Sequence, residues 1–144
     1  MNKALEQATK AKKLGEVPVG AVLVYKGKLI SSSCNLTISS NDPTAHAEIL
    51  VLRKAAKRLK NYRLADTIVY VTMEPCSMCA GALLWARVKK VAFGCWDKKS
   101  GCFGSVFNLS QVHSFNHRLK VMGGLLEPEC REIVQSFFKQ KRSR

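Results

Sequence analysis

The sequence predicts an α/β fold, a layered sheet with helices packed on both of its faces. The first observation behind this is an alternation of two periodicities: short β-branched apolar runs of strand length, then longer segments with apolar residues at helical spacing. The second is size. At 144 residues the chain suits one compact domain, 1–144, able to bury roughly two-thirds of the surface its unfolded form would expose. The third is composition, since 47% hydrophobic and 24% charged residues are ordinary globular values and give no support to disorder or membrane residence.

From Asn2 to Leu14 the residues Ala4, Leu5, Ala8, Ala11 and Leu14 recur at helical spacing, and Gly15 stands where a helix would stop. Val17 to Tyr25 is β-branched and apolar, and Lys26-Gly27 ahead of Leu29-Ile30 predicts a tight turn between antiparallel strands. Asn41-Asp42-Pro43-Thr44 reads as a turn, with Thr44 as N-cap of a second helix carrying Ile49, Leu50, Leu52, Ala55, Ala56 and Leu59 on one side. Thr67 to Thr72 has the near-continuous apolar character of a buried strand, and Pro75 stands near the start of a third helix reaching about Arg87. Val88 to Gly94 is a further strand. Trp96 to Asn116, with Gly101 and Gly104, has weak periodicity and is expected to be a loop with a short helix. Leu119 to Met122 adds an edge strand, and Pro128 to Lys139 a last helix turning Ile133, Val134, Phe137 and Phe138 inward. Trp85 is expected in the core or at a dimer interface.

Twenty-four Lys and Arg against ten Asp and Glu leave a net charge of +14, which favours a polyanionic partner, because cations release the counterions condensed on phosphates. Nucleic acid is the first candidate. The alternative is a lysine-rich genome that inflates basic counts without any binding. No apolar run reaches membrane-spanning length, and Met1 to Gly15 lacks the apolar core and cleavage site of a secretory signal, so the expected setting is the cytoplasm. There the six cysteines, Cys34, Cys76, Cys79, Cys95, Cys102 and Cys130, are thiols or metal ligands and not disulfides.

Only Cys76 and Cys79 have ligand spacing. Three apart at a helix start, they share one face of a first turn, where the helix dipole and free N–H groups favour thiolates. His46 stands at the start of the second helix. Zinc takes imidazole and thiolate tetrahedrally, and three protein ligands with one open position describe a catalytic rather than a structural site. Glu48, two residues beyond His46, points well away from it on a regular helix, so it suits proton transfer beside the metal better than ligation. Zn²⁺ with two thiolates and a neutral imidazole is near zero in charge and acidifies water less than an all-histidine site, a deficit that two helix N-termini and Glu48 offset.

His46-Ala47-Glu48 and Pro75-Cys76-Ser77-Met78-Cys79 complete the H-x-E and P-C-x-x-C signature of the zinc nucleobase deaminases. Along almost its full length the chain resembles the bacterial transfer-RNA adenosine deaminases. The match includes Glu16 to Val22, Asn41 to Glu48, Asn61-Tyr62-Arg63-Leu64, Glu74 to Ala82, and Phe137-Phe138. The resemblance implies a cytidine deaminase-like three-layer α/β/α sandwich on a five-stranded mixed sheet, a homodimer, one zinc per subunit on His46, Cys76 and Cys79, and Glu48 as proton shuttle. Its implied reaction is attack of zinc-activated water at C6 of adenine, with protons passed by Glu48 to N1 and then to the leaving ammonia. The product is inosine, at the wobble position of an anticodon stem-loop. It implies a base pocket around Val17, Pro18 and Val19 with Ala47 and Phe138, a hydrogen bond from Asn35 to the flipped nucleotide, and approach of Asp97 and Lys98 to its neighbours. One departure is that the chain begins within what family members have as their first helix, which implies less packing there.

Other readings stand beside these. Cys76 and Cys79 could be a redox pair, or Cys34, Cys95, Cys102, His113 or His117 could close a structural zinc site, but either leaves Glu48 without a task. His113 and His117 are expected at the surface or near RNA. Cys34 and Cys95 are read as small buried apolar residues, and Arg53, Lys54, Lys57, Arg58 and Lys60 as a solvated helix face. Lys139, Lys141, Arg142 and Arg144 suit phosphate contact or a fraying end equally. As to function, the alternatives are a deaminase of a free base or nucleoside such as guanine or cytosine, and a non-catalytic zinc-stabilised RNA-binding module.

Overall fold

The computed structural model describes all 144 residues, Met1–Arg144. Five strands form one mixed sheet in the order β2-β1-β3-β4-β5, with β1 at Gly20–Tyr25, β2 at Lys28–Cys34, β3 at Thr67–Met73, β4 at Lys90–Cys95 and β5 at Lys120–Met122. β1 runs antiparallel to both β2 and β3, while β3, β4 and β5 are parallel. Helices α1 (Asn2–Lys13) and α4 (Glu127–Arg142) pack together on one face, α2 (Ala47–Leu59) and α3 (Ser77–Trp85) on the other. The α/β/α layering follows the alternation of periodicities in the sequence. No helix is long and apolar enough to cross a membrane.

The β1–β2 turn is Lys26-Gly27, both at positive φ (50° and 75°), the left-handed pair whose twist matches that of the strands it joins. β1 starts at Gly20 and not at Val17, because Pro18 has no N–H for a ladder and the Val19 N–H turns back onto the Val17 carbonyl at 2.8 Å. Thr44 does not cap α2. Its N–H and hydroxyl both donate to Asp42 Oδ1, at 2.8 and 2.7 Å, in a turn of its own, and the cap position falls to His46. α3 likewise starts after Pro75, with Cys76 at its cap.

The main core lies between the sheet and α2 with α3, where Leu23, Val69, Val71, Val91 and Phe93 meet Val51, Ala55, Ala80 and Leu83. The opposite layer packs more closely, through small residues. α1 buries Ala4, Ala8 and Ala11, and Gly20 leaves no room for a side chain against its backbone. α4 extends to Arg142 and buries Cys130, Val134 and Phe137, whereas Phe138 is 41% exposed, since a stripe of helical period takes only one of two adjacent residues. Trp85 lies outside the core at 84% exposed. Cys34 and Cys95 are buried, and the basic residues of α2 face solvent as expected.

Two glycines give opposite expectations. Gly20→Ala forces a methyl against the α1 backbone and should cost about 1–3 kcal/mol in urea unfolding. Gly81→Ala, in open space within α3, should instead stabilise by roughly 0.5–1 kcal/mol.

Candidate active site

The helices α2 and α3 bring their first residues together. His46 and Cys76 occupy the two cap positions in extended backbone conformation, and Cys79 follows in the first turn of α3. His46 Nδ1 lies 3.7 Å from Cys76 Sγ and 3.4 Å from Cys79 Sγ. A tetrahedral zinc with ordinary Zn–S and Zn–N bonds sets such N···S edges at about 3.6 Å, so the donor set fits that ion. These three are the one group of His, Cys, Asp or Glu residues whose ligand atoms all lie within 4.8 Å of one another. Glu48 does not join it, nor do Cys34, Cys95, Cys102, His113 or His117. All six cysteines are free.

The Cys76 thiol is pulled down to about 4, first by hydrogen bonding from Cys79 and then by His46 against the opposing effect of burial. Its partner Cys79 moves up, since it holds the shared proton and is itself buried. His46 is raised by its contact with Cys76. The cluster is thus chemically disposed to carry negative charge on sulfur at neutral pH, as a cation site requires. Burial pushes the Glu48 carboxyl up, with its own backbone N–H and His46 opposing. Only 4% of Glu48 is exposed, and that part faces a cavity of about 930 Å³.

Val17, Val19, Asn35, His46, Glu48, Cys76, Asp97 and Phe138 all line this cavity. Pro18 and Ala47 are buried behind the wall, and Lys98 is exposed on the loop beside it, while its neighbour Lys99 is in the lining. Ala47 donates its N–H to Asn35 Oδ1 at 2.8 Å, which orients the amide and leaves the Asn35 Nδ2 donor without a protein partner. Lys139, Lys141 and Arg142, in the last turns of α4, add positive charge to the lining.

Two buried carboxylates that sequence reasoning did not single out shape the site. Glu74 joins β3 to Pro75-Cys76, and its oxygens accept from the backbone N–H groups of Asp97, Phe103 and Ser105, each at 3.0 Å, and from the Ser105 hydroxyl. Gly101 lies so close to this carboxyl that any side chain there would strike it. Glu16 accepts from Ser39 N at 2.6 Å, Ser39 Oγ at 2.7 Å, Ile38 N at 3.2 Å and Thr37 Oγ1 at 3.3 Å, fixing the segment that leads toward His46. Burial raises the Glu16 carboxyl, but these bonds outweigh it and hold the group below its ordinary value. The sequence signal for both was an acid directly bordering an otherwise apolar run. His113 is exposed, and His117 bonds Val88 O at 2.7 Å, away from the cluster.

The family of MafB19-like deaminases matches residues 1–142. The chain is 49% identical over 143 residues to the tRNA-specific adenosine deaminase of Haemophilus influenzae, spanning 99% of this chain and 83% of that protein. To that of Bacillus subtilis it is 46% identical over 144 residues, spanning 100% and 89%. A solved structure from biochemical and structural studies of A-to-I editing by tRNA:A34 deaminases at the wobble position of transfer RNA superposes with a TM-score of 0.90. It is 43% identical and is matched over 92% of this chain and 96% of its own. Sheet order, paired helix starts and full-length similarity define the class as a deaminase of the cytidine deaminase-like fold. Within that class, the chain belongs to the tRNA-specific adenosine deaminase family.

Because the folded state holds Glu16 below its ordinary value, its stabilisation is full above that value and is lost as pH falls through the lowered one. Glu16→Gln should therefore cost about 1–3 kcal/mol at pH 7 in urea unfolding, with the difference from wild type shrinking steadily toward acid pH. A difference that does not change with pH would remove the carboxylate from this role.

Proposed function

We propose that this chain, acting as one domain over residues 1–144, is a zinc-dependent hydrolase that converts adenosine to inosine at the wobble position of a transfer RNA anticodon. The observation that carries the reading is that His46 and Cys76, clustered with the buried Cys79, line the same cavity as the buried carboxyl of Glu48. The names of relatives that are 46–49% identical over nearly the whole chain supply the substrate class.

His46, Cys76 and Cys79 would hold one zinc ion, which supplies an acidified water as the nucleophile. Glu48 moves the protons. Its carboxyl group, pushed up by burial, takes one proton of the attacking water and delivers it to N1 of the purine while C6 is attacked, then takes the second from the new C6 hydroxyl and passes it to the exocyclic nitrogen, whose bond to C6 breaks. Adenosine and water become inosine and ammonia. Val17 and Val19 offer apolar contact to the base, with Pro18 fixing the backbone between them and Ala47 locking the Asn35 amide so that Nδ2 can donate to the nucleotide. Phe138 at the cavity edge provides a stacking face. Asp97 and Lys98, beside Lys99, approach the neighbouring nucleotides, and Lys139, Lys141 and Arg142 contact phosphates. A homodimer belongs to this reading, supported by the exposed Trp85 beside Phe115 on the outer side of α3, and so does a cytoplasmic setting, where transfer RNA and free thiols coexist.

Incubated with unmodified transfer RNA, the protein should yield inosine, and with free adenosine none. Inosine from free adenosine alone would make it a nucleoside deaminase, and none from either would overturn the reading, with ammonia release from guanine or cytosine then separating a free-base deaminase from an RNA-binding module. Glu48→Ala should keep about one zinc per chain by elemental analysis while turnover falls by at least about 10²-fold. Zinc lost from that variant would make Glu48 a ligand and end its assigned role.

A further inference from the structure

A second cavity, of about 420 Å³, lies at the opposite ends of the strands from the site and is lined by Arg63, Asp66, Arg87, Lys89, His117 and Arg118. These residues come in pairs from the three connections that enter the parallel strands β3, β4 and β5. Cys76 and Asp97 stand beyond the other ends of β3 and β4. The seven residues of β3, at about 3.3 Å per residue, separate the two places by roughly 20 Å. The frame is well tied. Leu64 N bonds Ala86 O at 2.7 Å, Lys89 N bonds Thr67 O at 3.0 Å, Lys120 N bonds Lys89 O at 3.0 Å, and His117 Nε2 meets Val88 O at 2.7 Å.

Asp66 is the one carboxylate among the four Lys and Arg side chains of the recess, and none of the four forms an ion pair. Ion pairs in the chain join Lys3 to Glu6, Arg53 to Asp42 and Arg131 to Glu127, so none reaches this recess, and even its own Asp66 is unpaired. Permanent cations gathered in one recess repel one another, and a ligand with regularly spaced negative charges relieves several at once with release of its counterions. Guanidinium forks match phosphate oxygens, and Arg63 also lies over the ring of Tyr62, which is 74% exposed.

We infer that this recess is a second RNA contact, gripping backbone phosphates outside the anticodon arm whose loop enters the catalytic cavity. The inference rests on the transfer-RNA reading above. An acidic protein segment is the rival occupant, and it lacks a reason to sit at a set distance from the first cavity.

The test uses Arg63→Ala, Lys89→Ala and Arg118→Ala combined, all three being exposed, with Lys13→Ala, Lys28→Ala and Lys57→Ala as an equally charged control on other surfaces. Affinities for full-length transfer RNA and for the isolated anticodon arm are measured from low to high salt, alongside inosine formation on each. The recess variant should bind full-length RNA on the order of tenfold more weakly, with its salt slope reduced by about one per phosphate lost, and bind and edit the arm as wild type does. Unchanged affinity and slope on full-length RNA would overturn the inference. So would an equal loss on arm and full-length RNA, or an equal loss in the control, since either reduces the effect to overall charge. Wild-type protein that makes no inosine from either RNA refutes the deaminase reading separately, because the binding comparison is still read.

Discussion

Two helix starts converge on one point, and the rest of the site depends on how their free N–H groups are satisfied. A helix leaves its first N–H groups without intrahelical partners, and a polar side chain at the cap position usually takes one, an interaction of about 1 kcal/mol. At α2 and α3 neither cap side chain does so. His46 and Cys76 turn toward each other and toward Cys79 instead, and the Ala47 N–H is taken by Asn35 from the end of β2. Capping stability is given up for a cluster in which two positive helix ends favour thiolate, with Glu48 in the first turn of α2. The Cys76 thiol is lowered to about 4, chiefly by hydrogen bonding from Cys79 and then by His46, against the opposing effect of burial.

The same arrangement explains why the cavity is held by buried acids remote in sequence from the ligands. Positions 36–45 and 97–105 reach the cavity through Thr37 and through Asp97, Lys99 and Ser100, and have little regular structure of their own. Loops rich in unpaired N–H groups need an acceptor, and Glu16 and Glu74 each gather several donors onto one carboxylate. Glu74 does this from the residue next to Pro75-Cys76, so loop and ligand share a single anchor. Polar satisfaction and chemical positioning are here one device.

Much of this was legible in the sequence. The alternation of strand and helix periods shows the layers and Lys26-Gly27 shows the hairpin, because each depends on residues near one another or on a period that survives burial, whereas the cluster, whose His46 stands 30 residues before Cys76, is legible only through two short motifs that carry the family signature. Thr44 misled because a turn residue and a cap residue look alike, and only Asp42 Oδ1 decides which role is taken. Phe138 misled because two adjacent aromatics cannot both face inward from one helix, and which of them does is set by the sheet beneath. Glu16 and Glu74 were silent as organisers, since their partners lie 21 to 31 residues away and no local pattern encodes so distant a pairing. The basic recess was hidden for the same reason, its residues being scattered from Arg63 to Arg118.

In the proposed site His46, Cys76 and Cys79 would hold an ion whose fourth corner is open to the cavity. X-ray absorption at the zinc edge of the purified holoprotein reads that corner most directly. Two sulfur neighbours at about 2.3 Å with two lighter atoms at about 2.0–2.1 Å, one an imidazole nitrogen and the other exchangeable with added anion, are expected. A third sulfur, a second imidazole, or a light-atom shell that no anion perturbs would contradict the account.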